Sequence, residues 1–91
     1  MNSYTKVIEV YKRDKKNPDK TYNIEFVAEY DVSDVDIDEL RKIITPNNDD
    51  ENIFLMYTLD TSQIIKIQEK ANVFFDIDNA EFIYMFGQYS S

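Results

Sequence analysis

The residues best suited to chemistry are carboxylates placed at alternate positions. Asp34, Asp36 and Asp38 form one such segment, and Asp76 with Asp78 begins another. Alternate carboxylates occur in calcium loops, but an EF-hand loop also needs a glycine at its sixth position for the sharp turn. Both segments lack that glycine. We therefore interpret the first set as acids at a helix start and the second as a polar turn, and we expect no metal site.

Catalytic side chains of the usual kinds are missing. The 91 residues include no histidine and no cysteine, so hydroxyl nucleophiles have no imidazole base and there is no thiolate. Paired carboxylates could support glycoside hydrolysis, but that reaction needs a sugar-sized cleft, for which so short a chain has little room. A single glycine excludes a Gly-rich phosphate loop. We expect no catalytic residue and no cofactor.

The formal charge of −8 is distributed unevenly. Residues 1–20 carry six bases and three acids, whereas residues 21–91 carry four bases and 15 acids. Such a surface repels nucleic acid and anionic membranes and attracts a basic partner, although acidity alone also serves solubility. The basic residues near the start form one cluster, which we interpret as a solvated hairpin tip and not as a nucleic-acid site. They are Lys12, Arg13, Lys15, Lys16 and Lys20.

One concentration of acids exceeds what solubility requires. Residues 29–39 hold six acids and no base, and three more acids follow at 49–51. Like charges so close together destabilise a fold, and helix capping accounts for only some of them. We therefore predict a partner-binding surface, the acidic arc, made of Asp31, Asp34, Asp36, Asp38, Asp49, Asp50 and Glu51. Tyr30 and Tyr57 are its candidate aromatic anchors, although aromatic residues on strands are more often core.

The first 30 residues predict an antiparallel hairpin. Residues 4–13 are rich in β-branched and aromatic side chains, and residues 14–20 contain Asn-Pro-Asp and form the turn. Residues 22–30 alternate, with Tyr22, Ile24, Phe26, Ala28 and Tyr30 on one face and Val27 as the exception.

Two helices and further strands follow. A helix begins at Ser33 or Asp36, has capping-box spacing between Asp36 and Glu39, and stops at Pro46. Residues 53–59 predict a strand with two apolar faces, in the middle of the sheet or against the helices. A second helix covers 61–71, with Ile64, Ile67 and Ala71 as its buried stripe, widened by Ile65. Residues 73–77 are a strand or extended loop. Residues 81–89 are a last strand, although their apolar run also fits a helix, and Gly87 indicates a bulge there.

These elements define the expected fold class. The order β-β-α-β-α-β predicts an α+β single domain over residues 1–91, with a three- or four-stranded, largely antiparallel sheet and two helices on one face. No apolar leader or bilayer-length apolar run is present, and cysteine is absent, so we expect a cytoplasmic protein.

Several short patterns resemble those of small acidic immunity proteins from bacterial contact-dependent growth inhibition and related polymorphic toxin systems. They are Glu9-Val10-Tyr11 before a charged turn, Asp38-Glu39-Leu40 with Ile43, Tyr57 and Asp60 before the second helix, and Phe75-Asp76-Ile77-Asp78 ahead of an aromatic tail with Tyr84 and Phe86. The resemblance implies a cytosolic protein that binds and neutralises one cognate toxin domain, often a nuclease. A different acidic inhibitor, such as a phage-encoded nucleic-acid mimic, and a non-enzymatic adaptor are the alternatives.

The carboxylate segments lead to a first prediction, that the fold needs no metal. Chelator should leave the melting temperature of the purified protein nearly unchanged, because neither segment has the glycine that a calcium loop requires. Thermal melts with EDTA and with added calcium measure this. A large calcium-dependent rise in melting temperature would mean that the acids at 34–39 or 76–81 form a metal site.

Overall fold

The structure is a computed structural model, and it describes residues 4–17, 19 and 24–90. The predicted turn at Pro18, the base Lys20 and the predicted strand start at Tyr22 lie outside the described residues. The described elements are β1 Tyr4–Lys12, β2 Glu25–Asp31, α1 Ile37–Ile44, β3 Tyr57–Thr58, α2 Thr61–Ala71 and β4 Phe82–Ser90. The predicted order β-β-α-β-α-β is confirmed.

All four strands form one antiparallel sheet in the order β2-β1-β4-β3. The predicted hairpin is present, since β1 pairs with β2. On its other side β1 pairs with β4 without interruption, from Tyr4 opposite Ser90 to Lys12 opposite Phe82. The first and last strands of the chain are therefore the two central strands of the sheet.

A β-bulge divides β2 into two parts. Val10 lies opposite Ala28, but the next residue of β1, Tyr11, lies opposite Phe26, so Val27 is the extra residue. A bulge reverses the facing of the residues beyond it. Ala28 and Tyr30 therefore pack on the core while Phe26 faces the other side against the Tyr11 ring, with ring centroids 5.7 Å apart. The prediction that Phe26 shares a face with Tyr30 is wrong for this reason.

The core lies between one face of the sheet and the two helices. Even-numbered residues of the central strands supply the sheet side, with Ile8, Val10, Tyr84 and Phe86 all buried. The helix side comes from Leu40 and Ile44 of α1 and Ile64, Ile67 and Ala71 of α2. The predicted buried stripe of α2 is thus confirmed, except that Ile65 is exposed instead of widening it.

Helix capping differs from the prediction at α1. Asp36 is the N-cap residue, as expected, but its side chain makes no capping hydrogen bond. The complete capping box is at α2, where the Asp60 carboxylate accepts a hydrogen bond from the Gln63 amide and the Gln63 side chain accepts one from the Asp60 amide. The same spacing therefore yields a box at one helix and none at the other.

The predicted strand over residues 53–59 is mostly irregular. Only Tyr57 and Thr58 pair with β4, and they form an edge of the sheet instead of its middle. Ile53 has a positive φ of 56°, which no strand residue adopts. Ile53 is nevertheless buried in the core. Its apolar side chain therefore indicated a buried position correctly, but not a strand.

Two further expectations concern the last third of the chain. Residues 73–77 are an extended loop, in which Val73, Phe75 and Ile77 pack against the core. Gly87 does not mark a bulge, because the pairing of β1 with β4 continues through it opposite Val7. The predicted polar turn is present, since the Asp78 carboxylate accepts hydrogen bonds from the amides of Ala80 and Glu81.

The helix ends lead to a prediction about stability. Thr45 and Asn72 follow α1 and α2 in left-handed conformations, with φ of 55° and 56°. A β-branched residue is strained there, whereas asparagine tolerates the region. We expect Thr45→Gly to raise the free energy of unfolding by about 1 kcal/mol, measured by urea titration. Asn72→Gly is the matched control and should gain less; a Thr45→Gly protein that unfolds more easily than wild type would contradict the assigned strain.

Candidate partner-binding surface

The loop between α1 and β3 is organised by one buried carboxylate. Asp50 is only 7% exposed. Its Oδ1 accepts a hydrogen bond from the Phe54 amide at 2.8 Å, and its Oδ2 accepts from the Leu55 amide at 3.0 Å and from the Tyr57 hydroxyl at 2.7 Å. Burial raises the pKa of Asp50, but these hydrogen bonds outweigh it and hold the pKa below the usual range. The carboxylate is therefore a structural brace for the loop.

Ile53 turns the chain within this loop. Its left-handed backbone is an outlier for a β-branched residue and costs about 1–3 kcal/mol. That conformation places the Ile53 side chain in the core while the following residues point outward. Asp50 holds the backbone after Ile53 in this conformation, because its carboxylate accepts hydrogen bonds from the amides of Phe54 and Leu55.

The three residues after the turn are large, apolar and in water. Phe54 and Leu55 are each 52% exposed and Met56 is 46% exposed. Isolated apolar residues on a surface are ordinary, but a consecutive run of them is not expected unless it has a function. The Phe54 ring also contacts exposed Tyr4, with centroids 5.1 Å apart. We call residues 53–56 the apolar loop.

The start of α1 lies beside the apolar loop. Ile37 and Phe54 line the same shallow pocket, and further along Arg41 and Glu51 line another. The segment before the helix is held by β1, because the Lys6 ammonium donates a hydrogen bond to the Val35 carbonyl at 2.8 Å. The helix that follows the acids at 34–36 therefore lies close to the loop that carries the acids at 49–51.

The charges of this surface are only partly balanced. Asp38 is paired with Arg41 on the same helix. The ion pairs among the described residues include none of Asp34, Asp36, Asp49 and Glu51, all of which are exposed. We call these four residues the unpaired acids. They provide negative charge next to the apolar loop.

The structure gives several predicted site residues internal partners. Asp50 and Tyr57 bond to each other, and the Tyr57 hydroxyl also accepts from the Asn47 amide. Tyr30 stacks on Phe75 at 4.1 Å between centroids. Asp31 is exposed but accepts a hydrogen bond from the Ser33 amide, and its pKa is lowered by the Ser33 hydroxyl and amide. The assignment of these residues to partner binding stays a prediction.

Sequence reasoning missed the exposed residues of the apolar loop. It assigned Phe54 and Met56 to a buried strand face because both parities of residues 53–59 are apolar. The available signal was the acid cluster at 49–51 directly before this run, since a carboxylate can bind the following amides and end a strand pattern early.

A family model described as a domain of unknown function, DUF7683, matches residues 5–86. The chain belongs to this family. The DUF7683 match runs from β1 into β4 and includes both helices and the apolar loop. No curated protein and no solved structure matches the chain.

The described residues of this DUF7683 domain contain neither a membrane-spanning helix nor a metal-binding cluster. Within residues 4–17, 19 and 24–90, neither helix has the length and apolar content needed to cross a bilayer. In the same residues, no three acidic side chains are grouped so that they could hold a metal ion.

The Asp50 brace predicts a pH-dependent contribution to stability. Because the native pKa lies below the ordinary 3.8, the stabilisation is present above pH 3.8 and is lost as pH falls through the native pKa. Asp50→Asn should therefore lower the melting temperature at pH 7, and its difference from wild type should shrink on acidification. Melting curves from pH 7 to pH 2 measure this.

Two variants serve as controls for the brace. Tyr57→Phe removes one hydrogen bond but keeps the carboxylate and its amide partners, so it should have a smaller effect than Asp50→Asn. Asp49→Asn changes the exposed neighbour and should leave the melting temperature nearly unchanged. If Asp50→Asn behaves like Asp49→Asn at all pH values, the carboxylate is not a brace.

Proposed function

We propose that this domain is an immunity-type inhibitor that binds and neutralises a basic cognate toxin domain. The contact surface is the apolar loop together with the unpaired acids. The observation that carries the proposal is the exposure of Phe54, Leu55 and Met56 on a loop braced from inside by Asp50.

The energetics of the loop support a binding function. Fully burying a side chain such as Phe, Leu or Met stabilises a fold by about 1.5–3 kcal/mol. The free domain forgoes part of this for three successive residues, because each of them is about half exposed. It also accepts the strained backbone of Ile53. A partner that covers Phe54 and Leu55 recovers the lost burial, which is how apolar anchors act at the centre of interfaces.

The unpaired acids indicate the chemistry of that partner. Exposed carboxylates at an interface rim mainly accelerate association with a basic surface and add little affinity. A nuclease presents lysine and arginine to hold phosphates, so its substrate surface is basic. In this proposal the unpaired acids raise the association rate with a basic toxin, and the apolar loop slows dissociation of the complex.

The resemblance to immunity proteins supplies the toxin part of the proposal. It rests on short patterns such as Asp38-Glu39-Leu40 and Phe75-Asp76-Ile77-Asp78, and it names no toxin. The partner to test is therefore a toxin domain encoded next to this chain.

The experiment compares association and dissociation for two variants. One variant replaces the unpaired acids, by Asp34→Asn, Asp36→Asn, Asp49→Asn and Glu51→Gln; the other carries Phe54→Ser and Leu55→Ser. Stopped-flow mixing with the toxin domain at several ionic strengths gives rate constants. We expect the acid variant to associate roughly tenfold more slowly at low salt, with a weaker salt dependence. The apolar-loop variant should associate normally and dissociate about 100-fold faster.

A control variant removes exposed acids outside this surface, two charges against the four removed from the unpaired acids. Glu25→Gln with Glu69→Gln removes exposed acids from β2 and α2, and it should bind like wild type. Asp36→Asn should not unfold the helix, because the Asp36 side chain makes no capping hydrogen bond. Equal rate constants and equal salt dependence for wild type and both test variants would mean that the contact lies outside this surface. A toxin domain that never co-purifies with the wild type would contradict the proposed function itself.

A further inference from the structure

The sheet has a second face, which the helices do not cover. Odd-numbered residues of β1 and β4 point to it, together with Phe26 beyond the bulge. We call it the outer face and define it by Glu9, Tyr11, Phe26, Glu29, Met85 and Tyr89. Phe26 is 52% exposed and Tyr89 is 44% exposed, so the face presents aromatic surface to solvent.

A carboxylate is buried in the middle of this aromatic surface. Glu9 is only 8% exposed, and its Oε1 accepts a hydrogen bond from the Tyr89 hydroxyl at 2.7 Å. That hydrogen bond is the main reason why the pKa of Tyr89 is raised to about 12. Burial, followed by the neighbouring Glu9 carboxylate, raises the pKa of Tyr11. The two phenols therefore remain neutral donors beside Glu9 and supply no positive charge.

The negative charge here has no counter-ion within the described part of the chain. Glu9 lies directly opposite Glu29 across the β1–β2 pair, an arrangement in which like charges repel. Among the described residues, neither Glu9 nor Glu29 takes part in an ion pair. The nearby base Lys6 donates to the Val35 carbonyl on the helix side instead. Buried charges in proteins are ordinarily paired, so this arrangement calls for a cation from outside.

The surroundings favour a guanidinium over an ammonium. A guanidinium is planar, weakly hydrated and stacks on aromatic rings, and its five N–H donors can bond to two carboxylates at once. The face offers Tyr11, Phe26 and Tyr89 as rings and Glu9 with Glu29 as acceptors. A second copy of the chain does not fit, because two such faces would bring acids against acids with no base between them.

We propose that the outer face binds an arginine side chain of a protein partner, with its guanidinium paired to Glu9 and Glu29 and packed against the tyrosine rings. The site lies on the opposite side of the sheet from the helices, and it does not rest on the proposed function of the apolar loop.

The test uses ¹⁵N-labelled full chain and a defined probe, N-acetylarginine methylamide, in an NMR titration. The uncharged isostere N-acetylcitrulline methylamide is the matched probe. We expect saturable shifts at the amides of Glu9, Tyr11, Glu29 and Tyr89 with the arginine probe and none with citrulline. Glu29→Gln should weaken binding about tenfold, as should Glu9→Gln, whereas Glu25→Gln on the same strand should bind like wild type.

Three results would overturn the proposal. They are equal shifts with citrulline, arginine shifts concentrated at residues 34–38 instead of the outer face, and unchanged affinity in the Glu29→Gln protein. Glu29 is exposed, so its variant keeps the test valid even if replacing buried Glu9 unfolds the sheet. Sedimentation of the same samples tests the remaining alternative, a second copy of the chain. A dimer that forms through the outer face would mean that the second copy, and not an arginine side chain, occupies this face.

Discussion

The pairing of β1 with β4 is the constraint on which the other features of this domain depend. It joins Tyr4 to Ser90 and Lys12 to Phe82 over nine consecutive positions, so the two ends of the chain form the centre of the sheet. Everything between them must then leave β1 and return to β4. The hairpin strand β2 occupies one edge, and the short β3 occupies the other. The same pairing brings Tyr89 within hydrogen-bond distance of Glu9.

The described residues form a two-layer arrangement, which follows from this pairing. Two short helices suffice to cover one face of a four-stranded sheet, and the even-numbered residues of β1 and β4 face them. No further described helix is present to cover the odd-numbered face. The domain therefore keeps a second, partly aromatic surface in contact with solvent, and the bulge at Val27 adds Phe26 to it.

The role of each acidic residue in the domain depends on its burial and hydrogen bonds more than on its position in the chain. Asp50 is buried and fully engaged with the amides of Phe54 and Leu55 and with the Tyr57 hydroxyl. Its neighbours Asp49 and Glu51 are exposed and outside every ion pair of the described residues. Neighbouring carboxylates therefore have different functions, one holding the loop and the others setting the potential around it. Glu9 is a third case, a buried carboxylate whose partners are neutral phenols.

The sequence by itself determined the local elements of this protein. The capping-box spacing at Asp36 and the stop at Pro46 predict α1, and the apolar stripe of residues 61–71 predicts α2. β-branched and aromatic content predicts the first strand and an apolar run predicts the last, because each signal depends on residues within a few positions of one another. Only the tertiary structure decided where β3 ends, that Val27 forms a bulge, that Phe54 to Met56 face water and that Glu9 and Asp50 are buried. Each of these depends on a partner distant in the chain, as Glu9 depends on Tyr89, and apolar character alone does not distinguish a core residue from an exposed anchor.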